Sequence, residues 1–521
     1  MAHIRIWDVF NLTTLTIIGV NDVDNGVGAL AFSRQNEGSY LMVMDDSIDH
    51  VLSMWDWKHE RVLGRTTTYT REVNGGKFHP HDDNVIITYG RAHLTAWRRR
   101  KDGMFQKNEL MKTIGDNILC LEFDEDGDVI AGDSSGAISV WTDSGDGSFR
   151  LYKEFQAHQR GINSLLVLAD GTLLSGGNDR YIKAWRNVKQ YKLMATTMLP
   201  DTTGGVRTLC PQRITAEDSS VFVGTTRNII VEGSLYRRFA ITVQGHYKSL
   251  LALATDPDFA SFATGGEDKA VCKWTMHRLQ WRAQIETDCT ALAFHPSDLV
   301  VVAGTQDGHI IALNADTGMH ITTINVSKSP VSCMSYNKEG TQLAVGSKDG
   351  NIYLYSVTSS GFVYKRRNVM RGNDMLRNVD FSHDGRYLQS DTDDYDLLYW
   401  YIANFEQEKL PSTMRDVRWS RLTCTLGYSI NGIWNNINQR LPGLITSSHV
   451  SSSNKLLSAA DDEGYVRLFR YPCISPKADY HEIKPYTGRV TSVRFLYDDS
   501  FLITAGGIDA ALMQWMVVSN R

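Results

Sequence analysis

The chain has 521 residues, of which 42% are hydrophobic and 22% are charged, and its formal net charge is −5. This composition is ordinary for a globular protein and excludes the strongly basic footprint of a nucleic-acid-binding chain. Seven scattered cysteines include no C-x-x-C pair, which argues against a disulfide framework or a zinc site and favours a reducing cytosol. No apolar signal core and no run of about 18 apolar residues is present, so a membrane partner is not expected.

Short strand patterns recur along the whole chain, and most end in an aromatic residue. A typical unit opens with an alternating strand such as ILCLEFD (118–124), passes through a Gly- and Asp-rich turn, and closes with a strand such as AISVW (137–141). Alternation with period two, broken by tight polar turns, predicts antiparallel strands. The closing residues are Trp7, Trp55, Trp97, Trp141, Trp185, Trp274, Leu313, Tyr355, Trp400, Phe469 and Trp515.

The spacing of these units predicts the fold. A period of about 40–45 residues with several short strands per unit is typical of β-propeller blades of the WD40 kind. About twelve units exceed the four to eight that one ring holds, so we expect an all-β chain of two tandem propellers. Residues 1–240 hold five units and the fragment AHIRIWD (2–8), which reads as the closing strand of a blade. We therefore expect a first propeller that is incomplete at its N-terminus.

Residues 241–521 hold the remaining seven units, if the irregular stretch 414–434 is counted as one of them. That stretch alternates like strands, so we expect a short, irregular blade there and a seven-bladed second propeller.

Two units carry the complete polar signature of a WD40 blade, in GGNDRYIKAW (176–185) and GGEDKAVCKW (265–274). In such blades a His, a Ser or Thr, an Asp and a Trp form a buried hydrogen-bonded chain, because each buried polar group needs a partner. The last unit keeps Thr504, Asp509 and Trp515 but has Tyr486 at the histidine position. The expected sets are His158, Ser175, Asp179 and Trp185, and His246, Thr264, Asp268 and Trp274.

Several phrases are not generic to WD40 repeats, among them DDSIDHVLSMWDW (45–57), GTTRN (224–228) and TCTLGYSINGIW (423–434). With HIRIWD (3–8), GDSSGAISVW (132–141) and FRYPC (469–473), they make the chain resemble the echinoderm microtubule-associated protein-like family over essentially its whole length. The resemblance implies a tandem atypical propeller that binds tubulin or microtubules and influences microtubule organisation in the cytoplasm, on the cytoskeleton. It also implies a self-associating coiled coil, a basic linker and a hydrophobic opening segment, which this sequence does not contain.

Two acidic or histidine-rich stretches suggest metal sites at first sight. DEDGD (124–128) begins like a calcium loop but lacks the later ligands, so a hairpin turn is favoured. FHPHDD (78–83) has an equivalent in FHPSD (294–298), which favours a turn at a strand end. No phosphate-binding glycine loop is present, and Ser, His and Asp recur in the units for structural reasons. Neither a cofactor nor an enzymatic activity is expected.

Three basic clusters flank the blade-closing strands, and we expect them on loops. Two interpretations stay open for them: ordinary solvated charge, or docking to an acidic tubulin surface by electrostatic steering. A second functional class also stays open, a generic WD40 scaffold that assembles signalling or regulatory partners. The basic residues are Arg98, Arg99, Arg100 and Lys101, then Arg237 and Arg238, then Lys365, Arg366 and Arg367.

Overall fold

The computed structural model describes residues 2–68, 72–110, 117–144, 148–186, 190–212, 220–235, 237–297, 299–358, 360–434 and 444–518. Its internal contacts divide the chain into two compact units, Met1–Gln244 and Gly245–Arg521. Nearly all regular structure in the described ranges is antiparallel β-sheet, as the alternating sequence pattern predicts. The exceptions are three short 3-10 turns at Asp201–Thr203, Pro411–Met414 and Asn431–Trp434.

Unit 1 is built from sheets whose strands follow one another in chain order. A two-stranded sheet, β1–β2, precedes five four-stranded sheets, β3–β6, β7–β10, β11–β14, β15–β18 and β19–β22. The strands are β1 (Ile4–Trp7), β2 (Thr14–Ile18), β3 (Val27–Phe32), β4 (Tyr40–Asp45), β5 (Val51–Asp56), β6 (Arg61–Thr67), β7 (Val73–His79), β8 (Asp82–Gly90), β9 (His93–Arg99), β10 (Phe105–Glu109), β11 (Ile118–Phe123), β12 (Val129–Asp133), β13 (Ala137–Asp143), β14 (Phe149–Gln156), β15 (Ile162–Val167), β16 (Leu173–Gly177), β17 (Tyr181–Arg186), β18 (Lys192–Met198), β19 (Val206–Pro211), β20 (Val221–Thr225), β21 (Ile229–Ser234) and β22 (Arg237–Gln244).

Unit 2 repeats the plan with four four-stranded sheets, β23–β26, β27–β30, β31–β34 and β38–β41, and two three-stranded sheets, β35–β37 and β42–β44. The strands are β23 (Leu250–Thr255), β24 (Ser261–Gly266), β25 (Ala270–Thr275), β26 (Arg278–Gln284), β27 (Cys289–Phe294), β28 (Val300–Thr305), β29 (His309–Asn314), β30 (His320–Asn325), β31 (Val331–Tyr336), β32 (Gln342–Ser347), β33 (Asn351–Val357), β34 (Tyr364–Arg371), β35 (Leu376–Phe381), β36 (Tyr387–Thr392), β37 (Leu397–Tyr401), β38 (Ile445–Val450), β39 (Leu456–Asp461), β40 (Val466–Arg470), β41 (Tyr480–Ile483), β42 (Val490–Phe495), β43 (Phe501–Gly506) and β44 (Leu512–Met516).

The position of a strand within its sheet sets its burial. Second strands such as β24 and β28 are buried at every residue, because both faces of the strand are covered. Fourth strands such as β14 leave most of their residues exposed or half-buried. Apolar clusters join consecutive sheets, for example Val302 of β28 with Val345 of β32. The core is therefore a series of layers between neighbouring sheets.

The first strands of consecutive sheets lie side by side in unit 2 and run parallel. Thr290 Oγ1 near the start of β27 donates to the carbonyl of Val331 at the start of β31, at 2.5 Å. The Leu250 amide at the start of β23 donates to the carbonyl of Gly507, just after β43, at 3.0 Å. The first sheet of unit 2 thus contacts the last one, and the sheets form a closed ring.

One place in this ring has no complete sheet. Residues 414–434 follow β37, and within the described ranges they form 3-10 turns and one isolated bridge, Ser382 to Trp419, rather than the expected strands. The buried carboxylate of Asp380 on β35 replaces the missing strand pairing. It accepts hydrogen bonds from the backbone amides of Thr423 and Cys424, both at 2.9 Å. The irregular blade is therefore held by a side chain rather than by a ladder.

The first fragment of the chain, predicted to be the closing strand of a blade, is strand β1 of a two-stranded sheet. Strand β1 pairs with β2 in a hairpin, with Ile4 opposite Ile18. Both isoleucines are buried in one apolar cluster with Val43 of β4. The hairpin therefore packs against the first four-stranded sheet of unit 1.

Candidate functional site

The first predicted polar chain lies inside the sheet β15–β18. Trp185 Nε1 donates to Ser175 Oγ at 2.9 Å, and that hydroxyl lies 2.8 Å from His158 Nε2. His158 Nδ1 in turn lies 2.9 Å from the Asp179 carboxylate. Burial lowers the pKa of His158, although the Asp179 carboxylate opposes that shift. A neutral imidazole that donates from Nδ1 and accepts at Nε2 satisfies every atom of this chain.

The second predicted chain lies inside β23–β26 and has the same order. Trp274 Nε1 donates to Thr264 Oγ1 at 2.8 Å, and His246 links Thr264 at 2.9 Å to Asp268 at 2.8 Å. Burial alone lowers the pKa of His246, but the hydrogen bonds and charges of Asp268 and Cys272 together outweigh burial and raise that pKa. The Arg282 guanidinium also lies 3.1 Å from Asp268 Oδ2. Both sets of hydrogen bonds connect the third strand to the loop before the first strand.

A third chain of hydrogen-bonded side chains was not predicted from the sequence. Trp97 Nε1 donates to Thr88 Oγ1 at 2.8 Å, and His93 Nε2 lies 2.8 Å from the same hydroxyl. His93 is the first residue of the third strand, β9, and does not come from the loop before the first strand, so the usual spacing misses it. Burial lowers its pKa to about 4, and the nearby Lys107 adds to this shift. The available signal was a Thr shortly before a closing Trp with a His between them.

Other sheets contain only part of this set of hydrogen-bonded side chains. In the last sheet Tyr486 replaces the histidine, and its hydroxyl lies 2.8 Å from Thr504 Oγ1, which also accepts from Trp515 Nε1 at 2.9 Å. The shared feature is an indole N–H that donates to a Ser or Thr hydroxyl, and it recurs at Trp55, Trp141 and Trp400.

The histidine-rich stretch 78–83 joins neighbouring sheets. His79 Nε2 lies 3.1 Å from the carbonyl of Gly127, in the turn of the next sheet. His295 makes the same contact with the carbonyl of Gly340 at 3.0 Å, while Asp298 lies outside the described residues. Asp124 caps the amides of its own turn, which is a hairpin turn between β11 and β12. Across the described ranges, no group of three or more His, Cys, Asp and Glu side chains is arranged to hold a metal ion.

The three basic clusters lie mostly on strands, which corrects the expectation of loops. Arg98 and Arg99 belong to β9, and Arg100 and Lys101 follow it. Arg237 and Arg238 begin β22, and Lys365, Arg366 and Arg367 lie on β34. Both β22 and β34 are fourth strands, where outward-facing side chains are exposed to solvent and can carry a charge.

These basic side chains differ in how strongly they are engaged. The Arg366 guanidinium lies 4.8 Å from the centre of the Tyr353 ring and donates to the carbonyl of Val326. Arg99 contacts Asn84 Oδ1 at 3.1 Å, and Arg367 lies over the ring of Phe405. The members of the clusters that are exposed and therefore accessible to a partner include Lys101, Arg237, Arg238 and Lys365.

Within the ranges that the structure describes, no helix has the length and apolar character needed to cross a membrane.

Comparison with known proteins assigns each unit to a domain family. Residues 1–233 match the echinoderm microtubule-associated protein first beta-propeller, and residues 250–517 match the second beta-propeller of the same protein. The prediction of two tandem propellers is therefore confirmed.

Curated relatives match over almost the whole chain. Echinoderm microtubule-associated protein-like 1 of Rattus norvegicus is 37% identical over 99% of this chain and 63% of its own length. Echinoderm microtubule-associated protein-like 2 of Rattus norvegicus is 36% identical over 99% of this chain and 79% of its own length. The 77 kDa echinoderm microtubule-associated protein of Strongylocentrotus purpuratus is 37% identical over 99% of this chain and 75% of its own length. This chain spans less than two thirds of the length of echinoderm microtubule-associated protein-like 1 of Rattus norvegicus. It belongs to the echinoderm microtubule-associated protein family.

Proposed function

We propose that this chain is a cytoskeletal binding protein whose two propellers bind tubulin or microtubules and so influence microtubule organisation. The observation that carries this proposal is the similarity over 99% of the chain to proteins named as microtubule-associated. The same observation favours this role over a generic scaffold and supports a location on the cytoskeleton in the cytoplasm.

The fold suits binding better than catalysis. A rigid frame of sheets presents many loops and outer strands, and binding partners commonly contact such surfaces. The candidate contacts are the basic clusters, because a local excess of positive charge on a chain of net charge −5 would steer an acidic partner to these strands. Lys101, Arg237, Arg238 and Lys365 are the preferred members because they are exposed.

Co-sedimentation with microtubules tests the function, and size-exclusion chromatography with soluble tubulin tests binding to the free dimer. We expect the purified chain to pellet with microtubules and to lose affinity as salt rises, since salt screens exposed charges. No pelleting and no shift on the column would refute the proposal and favour the scaffold.

A charge-matched pair of variants tests the basic contacts. Replacing Arg237 and Arg238 with Ser should weaken pelleting, whereas replacing Arg150 and Lys192 with Ser should not. All four are exposed residues on fourth strands, so both variants remove two positive charges from equivalent positions. Equal effects of the two variants would show that only net charge matters and would remove β22 from the interface.

A further inference from the structure

The ring of unit 2 encloses a central channel of about 1120 Å³. First strands of the sheets line it, and because these strands run parallel, all their carboxyl ends meet at one mouth of the channel. A volume of this size accommodates a small-molecule ligand.

The two mouths differ in charge. At the amino ends of the first strands, acidic and basic residues balance: Glu267, Asp288 and Asp393 against Lys348, Arg377 and Arg489. At the carboxyl ends the lining holds Lys338, Arg421 and Arg494, with one acid, Asp256. The Asp256 carboxylate already accepts from the Ser261 hydroxyl at 2.7 Å and from two backbone amides. Positive charge therefore predominates at the carboxyl-end mouth.

Arg494 is the one of these cations that lies on a first strand of the ring. It is the penultimate residue of β42, and its Nη1 donates to the carbonyl of Val493 at 2.7 Å and to Ser447 Oγ at 3.0 Å. Burial lowers the pKa of Arg494 to about 10, the Asp380 carboxylate opposes this shift, and the charge of Arg421 adds to it. A partly buried Arg close to a second Arg is unfavourable and is usually retained for a reason.

Two further groups converge on the same place. Ser420 N donates to the carbonyl of Phe381 at 2.9 Å, which sets Arg421 beside the carboxyl end of β35. His449 on β38 lies between these two elements and accepts a hydrogen bond at Nδ1 from the Phe495 amide, at 3.0 Å. Burial, together with Arg494 and Arg421, lowers the pKa of His449 well below its usual range. The imidazole is therefore neutral, and its proton lies on Nε2 as a donor.

We propose that the carboxyl-end mouth of this channel binds a small oxyanion, a phosphate or carboxylate group of a small molecule, between Arg494 and Arg421. Guanidinium groups pair with such anions through two parallel hydrogen bonds, and the His449 Nε2 proton supplies a further donor. This site is separate from the basic clusters on the outer strands, so it stands or falls independently of microtubule binding.

Thermal unfolding of the full chain tests the site, with pyrophosphate and citrate as probes against sodium chloride at equal ionic strength. We expect a rise of about 5 °C at about 10 mM of a probe with a Kd near 0.1 mM. A response to pyrophosphate alone identifies phosphate as the ligand group, and a response to citrate alone identifies carboxylate. No rise beyond that of sodium chloride with either probe overturns the proposal.

Variants assign the effect to the channel. Arg494→Gln and Arg421→Gln should each weaken probe binding at least about tenfold in isothermal titration, because each removes a charge-assisted contact. Arg278→Gln, an exposed position on β26, should leave binding unchanged. If Arg494→Gln fails to fold, Arg421→Gln decides the question. Probe binding that survives Arg421→Gln at full strength would overturn the assignment.

Discussion

The polar chain in the sheet β23–β26 gives the sharpest test of how this blade is held. Thr264→Val removes one hydroxyl and keeps the shape of a fully buried side chain. The change leaves Trp274 Nε1 and His246 Nε2 without the oxygen that lies 2.8 Å and 2.9 Å from them. A buried polar atom left unpaired costs about 1–3 kcal/mol, and water reaches the half-buried Trp274. We therefore expect a loss of about 2–4 kcal/mol in the free energy of unfolding.

Calorimetry on the full chain measures this loss, and hydrogen exchange of peptides from residues 250–275 places it in unit 2. A loss of this size should lower the Tm by about 5–10 °C. Thr275→Val is the control, because it is the same substitution at the exposed end of the neighbouring strand, β25. In a Trp274→Phe background, Thr264→Val should cost about 1 kcal/mol less, because one of the two bonds is already gone. A Tm equal to that of the control, or fully additive costs, would refute the reasoning.

Three further predictions concern both units. His93 has a pKa of about 4 in the folded protein and near 6.5 in the unfolded chain, so its contribution to stability is complete above pH 6.5 and is lost as the pH falls towards 4. The free energy of unfolding in urea should therefore be about 2 kcal/mol lower at pH 5 than at pH 7.5. His93→Gln should reduce this dependence of stability on pH. Gly340 has φ +71°, and an added Cβ would lie 2.7 Å from His295 Nε2. Gly340→Ala should therefore destabilise more than Gly385→Ala, which has φ +68° and open space, and equal Tm losses would contradict the contact. Asp380→Asn should cost about 2–4 kcal/mol because it turns an acceptor of amide donors into a donor, and unchanged hydrogen exchange at residues 420–425 would count against this.

The sequence alone predicted the repeat because each sheet reuses one pattern of alternation and turns. The closing aromatics fall where the pattern placed them: Trp185 ends the apolar part of β17, and Trp274 occupies the same place in β25. A Ser or Thr precedes each of these Trp residues by ten positions, since the second and third strands pair in a fixed register. Local periodicity carries this information, so the sheets could be foreseen without coordinates.

Interactions between distant segments were not foreseeable in the same way. The strand-like alternation of residues 414–434 suggested a blade, but Asp380 and Asp391 satisfy that backbone by accepting from Thr423, Cys424 and Thr425. Nothing in the local pattern shows that a carboxylate more than 30 residues away will replace a strand. The position of Arg494 beside Arg421 likewise depends on ring closure, which only the three-dimensional contacts reveal.

Closure of the ring has a consequence for how the protein is made. The amide of Leu250 donates a hydrogen bond to the carbonyl of Gly507. One side of strand β23 therefore remains without its neighbouring sheet until the far end of the chain has been synthesised. At about 5–20 residues per second, a ribosome needs roughly 13–50 s to cover that distance. During that interval the uncovered side of the sheet β23–β26 can aggregate with other chains. It stays uncovered for longer than any other sheet side in the ring. Protection of the nascent chain from aggregation should therefore matter most for residues 250–266.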